Sequence, residues 1–343
     1  MTIKPTGGTP PTNSLAFTEI ENEFGENPKR SLGTYRVSQN VGSLTNLPLD
    51  DGIPQGNSEI KFSHFYGKRL NNVVDCHSSG GTRVNAKERY NNGDVTVIGG
   101  FRGKKGSNSK IIINVNKTFK SNNDSKGDTE KCSLRTGTYG SNIILRVDIG
   151  SDGKIFGAGG NGGNGSSGSG GGDDGQDGTS GLGIEQESEG EANVVINNNG
   201  LISAGFGGGG GGGGAYDYDK GSTRRASGGG GGGGAGEPAG NGGEGGKQSK
   251  SGDDGSDGGE NSGGAGGEGG NNDGEAVGGD GGEGGQNGEN AGSGGTGRGG
   301  EGSTSSGGEA GSNGAAIRKA SGVSISVTNN GTIIGSTSST GVK

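Results

Sequence analysis

Between residues 252 and 300, the positions divisible by three are glycine at 252, 255, 258, 264, 267, 270, 279, 282, 285, 288, 294, 297 and 300. The exceptions are Asn261, Asp273, Ala276 and Ala291, all small or turn-prone, and a second glycine often precedes the periodic one. Such a stretch has almost no side chains to bury, so an ordinary hydrophobic core is excluded. A three-residue period matches the polyproline-II helix, which rises about 3.1 Å per residue and forms no hydrogen bonds within itself. Collagen needs abundant proline, and the only proline after residue 150 is Pro238. The remaining ordered solution is a bundle of short polyglycine-II helices. In it, glycine edges approach closely enough to exchange N–H···O=C and Cα–H···O contacts, and the third position faces solvent. Glycine and polar tracts are more commonly flexible linkers, and ordering glycine costs more entropy than ordering any other residue. The sustained register and the segments that bracket it favour order.

Composition divides the chain near residue 155. Of 92 glycines, 73 follow residue 150; the first 150 residues carry net charge +6 and the rest −14. Three similar segments bracket the glycine blocks: IILRVDIGSDGKIFGAGG (143–160), NVVINNNGLISAGFGGGG (193–210) and VSISVTNNGTIIGSTSST (323–340). Each reads as an alternating strand, an Asp-Gly or Asn-Gly turn and a second short strand, the pattern of a β-hairpin. Three copies make an internal repeat. Residues 94–101, 109–119 and 141–149 are further strand candidates, and their spacing suggests a β-sandwich. The expected fold is mostly β plus polyglycine-II: an N-terminal docking module (1–70), a β-sandwich-like domain (71–155), and a glycine domain (156–343) capped by hairpins.

Residues 1–70 read as short capped elements. Thr18 and Glu21 have capping-box spacing, with Gly25 as a stop. Phe17, Ile20, Phe24, Phe65 and Tyr66 have little chain nearby to bury them, which points to an assembly interface.

The catalytic inventory is thin. The two histidines, His64 and His77, lie in separate regions, and a pair between His77 and adjacent Cys76 is disfavoured because neighbours on a strand point to opposite faces. Whether Cys76 and Cys132 pair is left open. GAGGNG (157–162) spells a dinucleotide fingerprint with no helix to follow it. GGDDGQDG (171–178) lacks the apolar position of calcium-binding repeats. The reading is no enzyme, no cofactor and no metal. The acidic balance excludes nucleic acid as the main partner, no apolar run is long enough for membrane insertion, and Met1–Pro5 lacks the apolar region of a secretory signal. Lys104, Lys105, Lys117, Lys120, Lys126 and Lys131 make the middle region basic, which reads mainly as a solvated face.

The longest interruptions of the glycine register are the candidate binding loops. AYDYDKGSTRR (215–225) carries Tyr216, Tyr218, Arg224 and Arg225, the residue types enriched where proteins bind. KQSKSGDD (247–254) and GIEQESEGE (183–191) come next.

FTEIENEFGENPKRSLGTY followed by GIPQGNSEIKFSHFYGK resembles a short module of tailed-bacteriophage structural proteins, marine and cyanobacterial ones especially, over residues 14–70. The glycine half is similar in design to tail-fibre-tip adhesins of T-even-type phages, whose polyglycine-II sandwich carries loops that contact the host. The resemblance implies a virion tail protein that meets other tail or fibre proteins through its N-terminal module. It implies a host surface glycan or outer-membrane protein at its loops. A purely structural tail decoration and an ice-binding protein are the alternatives.

Overall fold

A computed structural model of the protein describes residues 15–24, 31–35, 39–41, 44–47, 53–54, 58–68, 71–75, 80–92, 95–96, 110–139, 143–186, 194–219, 221–300 and 304–343. The fold is mostly β, as expected, but the strands of the three repeated segments pair in parallel with one another rather than as hairpins. Five rungs stack into a three-faced parallel solenoid. The first face pairs 71–75, 110–115, 144–149, 194–198 and 325–329 in that order. The second pairs 81–82, 118–120, 154–156, 201–203 and 332–334. The third pairs 84–85, 132–135, 180–184, 315–319 and 336–338.

The register explains the apolar spelling. Val74, Ile113, Val147, Ile196 and Val327 lie in register on the first face. Phe119, Ile155, Ile202 and Ile333 do so on the second, and Val84, Leu134, Leu182 and Ile317 on the third. Most of these side chains are fully buried and form one core. Val327, on the terminal rung, remains 38% exposed.

The three repeated segments are therefore successive rungs, and their Asp-Gly and Asn-Gly pairs are stacked corners. Gly153, Gly200 and Gly331 are absent from the positive-φ positions. Glycine is needed there because a Cβ on Gly200 would sit 2.2 Å from the Gly153 carbonyl, and one on Gly331 2.2 Å from that of Gly200. Asparagine side chains bond along the stack, Asn198 to Asn329 at 2.7 Å and Asn330 to Asn199 at 3.2 Å. Where a β-sandwich was expected, the described strands on both sides of residue 155 share the same three sheets.

The glycine segments leave the solenoid from one corner, between the second and third faces of two consecutive rungs, as residues 157–179 and 204–314. They run back and forth as ten extended segments: 157–166, 171–179, 204–214, 227–235, 240–246, 252–259, 263–270, 278–285, 291–297 and 304–314. Segments 204–214 and 227–235 occupy the interior. The first donates backbone hydrogen bonds in rotation to 171–179, 227–235 and 291–297, and accepts them from 157–166, 278–285 and 304–314. The second donates to 157–166, 252–259 and 278–285, and accepts from 204–214, 240–246 and 263–270. Each thus has six neighbours, and together they touch all eight others.

This explains the two uninterrupted glycine runs. A Cβ on Gly209 would meet the Gly282 carbonyl at 2.0 Å, on Gly210 that of Gly308 at 2.2 Å, and on Gly211 that of Asn164 at 2.0 Å. Three successive positions face three different neighbours, so none can carry a side chain. An outer segment has one free side, which gives the Gly-Gly-x spelling: Gly281 and Gly282 meet neighbours and Glu283 is exposed. Outer aspartates cap backbone N–H groups that have no glycine partner. Asp174 accepts from Glu309 (2.7 Å), Asp257 from Gly242 (2.8 Å) and Asp280 from Gly269 (2.9 Å). Asp177, within GGDDGQDG, accepts from Ser312 at 2.6 Å, and GAGGNG forms part of the first glycine segment.

A loop of the second rung, 121–131, braces the base of the glycine segments. Lys126 Nζ donates to Asn161 Oδ1 at 3.0 Å and to the Ala239 carbonyl at 2.7 Å. Burial lowers its pKa, against a smaller raising by Asp257.

The N-terminal residues make their own small core. The helix Phe17–Phe24 packs with Leu15, Tyr35, Ile53 and Phe65; Phe65 meets Phe24 and Tyr35 edge-on at 5.8 Å, and Phe24 and Tyr35 meet at a tilt at 6.0 Å. Ile20, Phe24 and Phe65 are fully buried, and Phe17 and Tyr66 pack partly against them. Too little chain was expected to bury all five; Tyr35 and Ile53 help close over Ile20, Phe24 and Phe65, whereas Phe17 and Tyr66 stay half-buried. The helix start also differs: Glu19, not Glu21, reaches back to the Ala16 N–H at 2.8 Å.

Candidate functional site

Five connections lie at the end of the glycine segments far from the solenoid: 167–170, 215–226, 247–251, 271–277 and 298–303, of which 220 and 301–303 fall outside the described residues. Backbone bonds tie them together, Gly214 to Gly170 at 3.0 Å and Ser227 to Lys250 at 2.9 Å. Extended segments of seven to eleven residues separate these turns from the solenoid.

The most prominent is a β-hairpin of strands Ala215–Asp219 and Ser222–Ala226, with Gly221 at φ +86° in its turn. Strand alternation divides its side chains between two faces. Tyr216 and Tyr218 share one face with their cross-strand partners Arg225 and Thr223. The Arg225 guanidinium lies 5.8 Å from the Tyr216 ring centre and donates to Gln248 Oε1 at 3.3 Å. Tyr218 is 53% exposed. The other face carries Ala215, Asp217, Arg224 and Ala226. The two alanines pack on Ala276 of a second hairpin, Asn271–Asn272 with Ala276–Val277. Arg224 forms an ion pair with Glu275 of that hairpin, and Asn272 Nδ2 donates to the Arg225 carbonyl at 3.3 Å.

Of the four residues singled out by sequence, three therefore form one surface and Arg224 joins two hairpins from behind. Sequence reasoning missed Gln248, Thr223, Asn272 and Arg298. Of the fallback segment 247–254, residues 247–251 sit beside the site, whereas Gly183 and Ile184 of 183–191 belong to a solenoid strand and 187–191 lie outside the described residues. Arg298 lies across from Val277, and its neighbour Gly299 approaches the Tyr216 backbone so closely that a Cβ would meet its carbonyl at 2.1 Å.

The other reactive candidates are elsewhere. His64 accepts the Lys61 N–H at its Nδ1 (3.0 Å), and Cys76 and His77 lie outside the described residues. Cys132 is a free, buried thiol whose pKa burial pushes up to about 12. A groove of about 520 Å³ at the solenoid end is lined by Phe206, Asn290, Asn313 and Ser336, among others. Its Asn313 side chain is engaged with Gly207 N–H, the Glu289 carbonyl and Asn290. No helix among the described residues is long and apolar enough to cross a membrane.

Neither the curated proteins nor the solved structures contain a match to this chain. The family model of phage tail fibre adhesin Gp38 matches residues 82–338, from the first solenoid rung through both glycine insertions to the last rung. That is about three-quarters of the sequence, and the chain accordingly belongs to the Gp38 family of phage tail fibre adhesins.

Proposed function

We propose that the protein is a non-enzymatic adhesin of the virion tail that binds the host cell surface through the distal turns. In this reading the ten glycine segments act as a polyglycine-II bundle, a rigid arm rather than a flexible linker. The observation that carries it is the placement of Tyr218. Among the described residues only three large apolar or aromatic side chains are notably exposed, and Tyr218 is the one in the glycine region. It stands at the far end, beside Tyr216 and Arg225. An aromatic surface edged by amide and guanidinium donors suits a sugar ring or a protein loop, and its rigid side chains lose little entropy on binding.

The N-terminal module is the part we assign to assembly with other tail or fibre proteins. Its buried rings make it a folded unit, so Phe17, Ile20, Phe24, Phe65 and Tyr66 support that role by shaping the module. Phe62, 40% exposed beside Phe17 at 6.2 Å between ring centres, is its one prominent apolar contact among the described residues.

Changing Tyr216, Tyr218, Arg224 and Arg225 together to alanine is expected to reduce phage adsorption by about 100-fold or more, since buried aromatic and arginine anchors each contribute about 2 kcal/mol or more at binding surfaces. An unchanged circular-dichroism spectrum would show that the fold survives. Adsorption equal to wild type would remove the hairpin from the binding surface.

A further inference from the structure

Residues 157–179 and 204–314 contain six basic and nineteen acidic side chains. All six basic residues fall in the distal turns: Arg224, Arg225, Lys247, Lys250 and Arg298, with Lys220 between the hairpin strands in sequence. Fourteen of the nineteen acids lie along the segments and at the solenoid end. The arm thus carries −14 on its flanks and base against +1 at its distal turns. The extended segments of seven to eleven residues are longer than the screening length of about 8 Å at physiological salt, so an approaching surface meets the two regions separately.

Two of the distal cations are already committed, Arg224 to Glu275 and Lys247 to Glu244 at 3.0 Å. Among the described residues no carboxylate pairs with Arg225, Lys250 or Arg298, and all three are exposed. Arg225 lies on the tyrosine face itself, over the Tyr216 ring, and the carbonyl of Lys250 accepts the Ser227 N–H just past the hairpin; Arg298 lies on the far side of the distal turns, because alternation turns it away from the face on which Gly299 meets the Tyr216 backbone. Exposed cations without a carboxylate partner keep their full charge for a ligand, and guanidinium forks fit phosphate and carboxylate oxygens.

We propose that the distal turns bind an anionic surface glycan, whose phosphate or carboxylate groups are taken by Arg225 and Lys250 while its ring packs on Tyr216 and Tyr218, with Arg298 adding positive charge from the far side of the turns. The acidic flanks repel the same polyanionic surface and leave the distal end as the contacting part. This rests on the reading of the distal turns as the binding surface. Charge complementarity of this kind raises association rates by about 10- to 1,000-fold and fades with salt.

The test uses the full chain on immobilised lipopolysaccharide from an adsorbing host: untreated, stripped of phosphate, and carboxyl-reduced. Wild-type protein is expected to bind about tenfold more weakly when salt is raised from about 0.05 to 0.5 M. The triple variant Arg225→Gln, Lys250→Gln, Arg298→Gln should bind about tenfold more weakly at low salt, and respond little to salt. Removing whichever anion serves as the contact should reproduce that loss for wild type. Undiminished binding by the triple variant, binding to glycan stripped of both anions, or binding only to outer-membrane protein would overturn the proposal. Tyr218→Ala separates the two levels. If it loses binding while the triple variant does not, the distal surface stands and its ligand is uncharged or proteinaceous. If both variants bind as wild type does, the distal-turn reading itself fails.

Discussion

Valine in place of Gly231 is expected to prevent the glycine segments from assembling, and valine in place of Gly282 to destabilise them strongly. Gly231 lies in an interior segment, and a Cβ there would stand 2.1 Å from the Gly209 carbonyl oxygen. At Gly282 the Cβ would stand 2.0 Å from that of Gly292. Neither obstacle is a flexible side chain that can swing away. Each is backbone held by its own hydrogen bonds, Gly209 donating to Gly232 and Gly292 donating to Glu283, both at 2.8 Å. Opening a gap of more than about 1 Å breaks several such bonds in a row, each contributing about 1 kcal/mol. The expected loss is about 3 kcal/mol or more at Gly282, at the upper end of overpacking effects, and more at Gly231. Glu283→Gln, on the exposed third position, should change stability by less than about 0.5 kcal/mol. Thermal unfolding and limited proteolysis of the three variants check this, and equal tolerance at all three positions would contradict the packing.

A fragment ending at residue 155 is expected not to fold beyond its N-terminal module. Residues 71–155 complete the first two rungs and supply only the first face and part of the second of the third rung. In the full chain 194–198 covers the edge of 144–149, and 201–203 covers that of 154–156. Without them Val147 and Ile155 lose their in-register partners Ile196 and Ile202, and Leu134 loses Leu182. Two open rungs leave exposed strand edges that promote aggregation. Circular dichroism of residues 71–155 should show disordered or aggregated chain; a cooperative melt would mean that this region is an independent domain.

Much of this architecture was legible in the sequence, for a physical reason. Glycine at every third position has one meaning when neighbours must approach on fixed sides, so the ordered glycine region and the exposure of residues such as Glu283 could be read directly. The two unbroken runs, 207–214 and 228–234, could have been read further: a segment with six neighbours has no side free for a Cβ. The repeat of three bracketing segments was visible too, but its geometry was not. Asn-Gly between alternating strands signals a tight hairpin turn when glycine adopts positive φ. At Gly153, Gly200 and Gly331 glycine instead allows corners to stack, and sequence does not distinguish these two requirements. The sandwich expectation failed for the same reason, because pairing partners such as Val147 and Ile196 lie about fifty residues apart. In the site, Tyr216, Tyr218 and Arg225 were legible as side chains with no core to join. The role of Arg224 was not, since its partner Glu275 comes from a hairpin fifty residues further on. Nor was the partnership of Arg225 with Gln248, which depends on which turns share an end of the arm.

In the proposed function the distal turns, and not the flanks or the solenoid end, touch the host. A photoreactive phenylalanine analogue placed at Tyr218 or at Glu260, in full-length protein applied to host cells, tests it most directly. Tyr218 lies in the distal hairpin and Glu260 in a turn at the opposite end, where Gly259 bonds to Ser262 at 2.7 Å. Both positions are exposed, so neither substitution disturbs packing. On irradiation, the probe at position 218 should form covalent adducts with host-surface molecules, and the probe at 260 should form few or none. Adducts from position 260 with none from 218 would contradict the account.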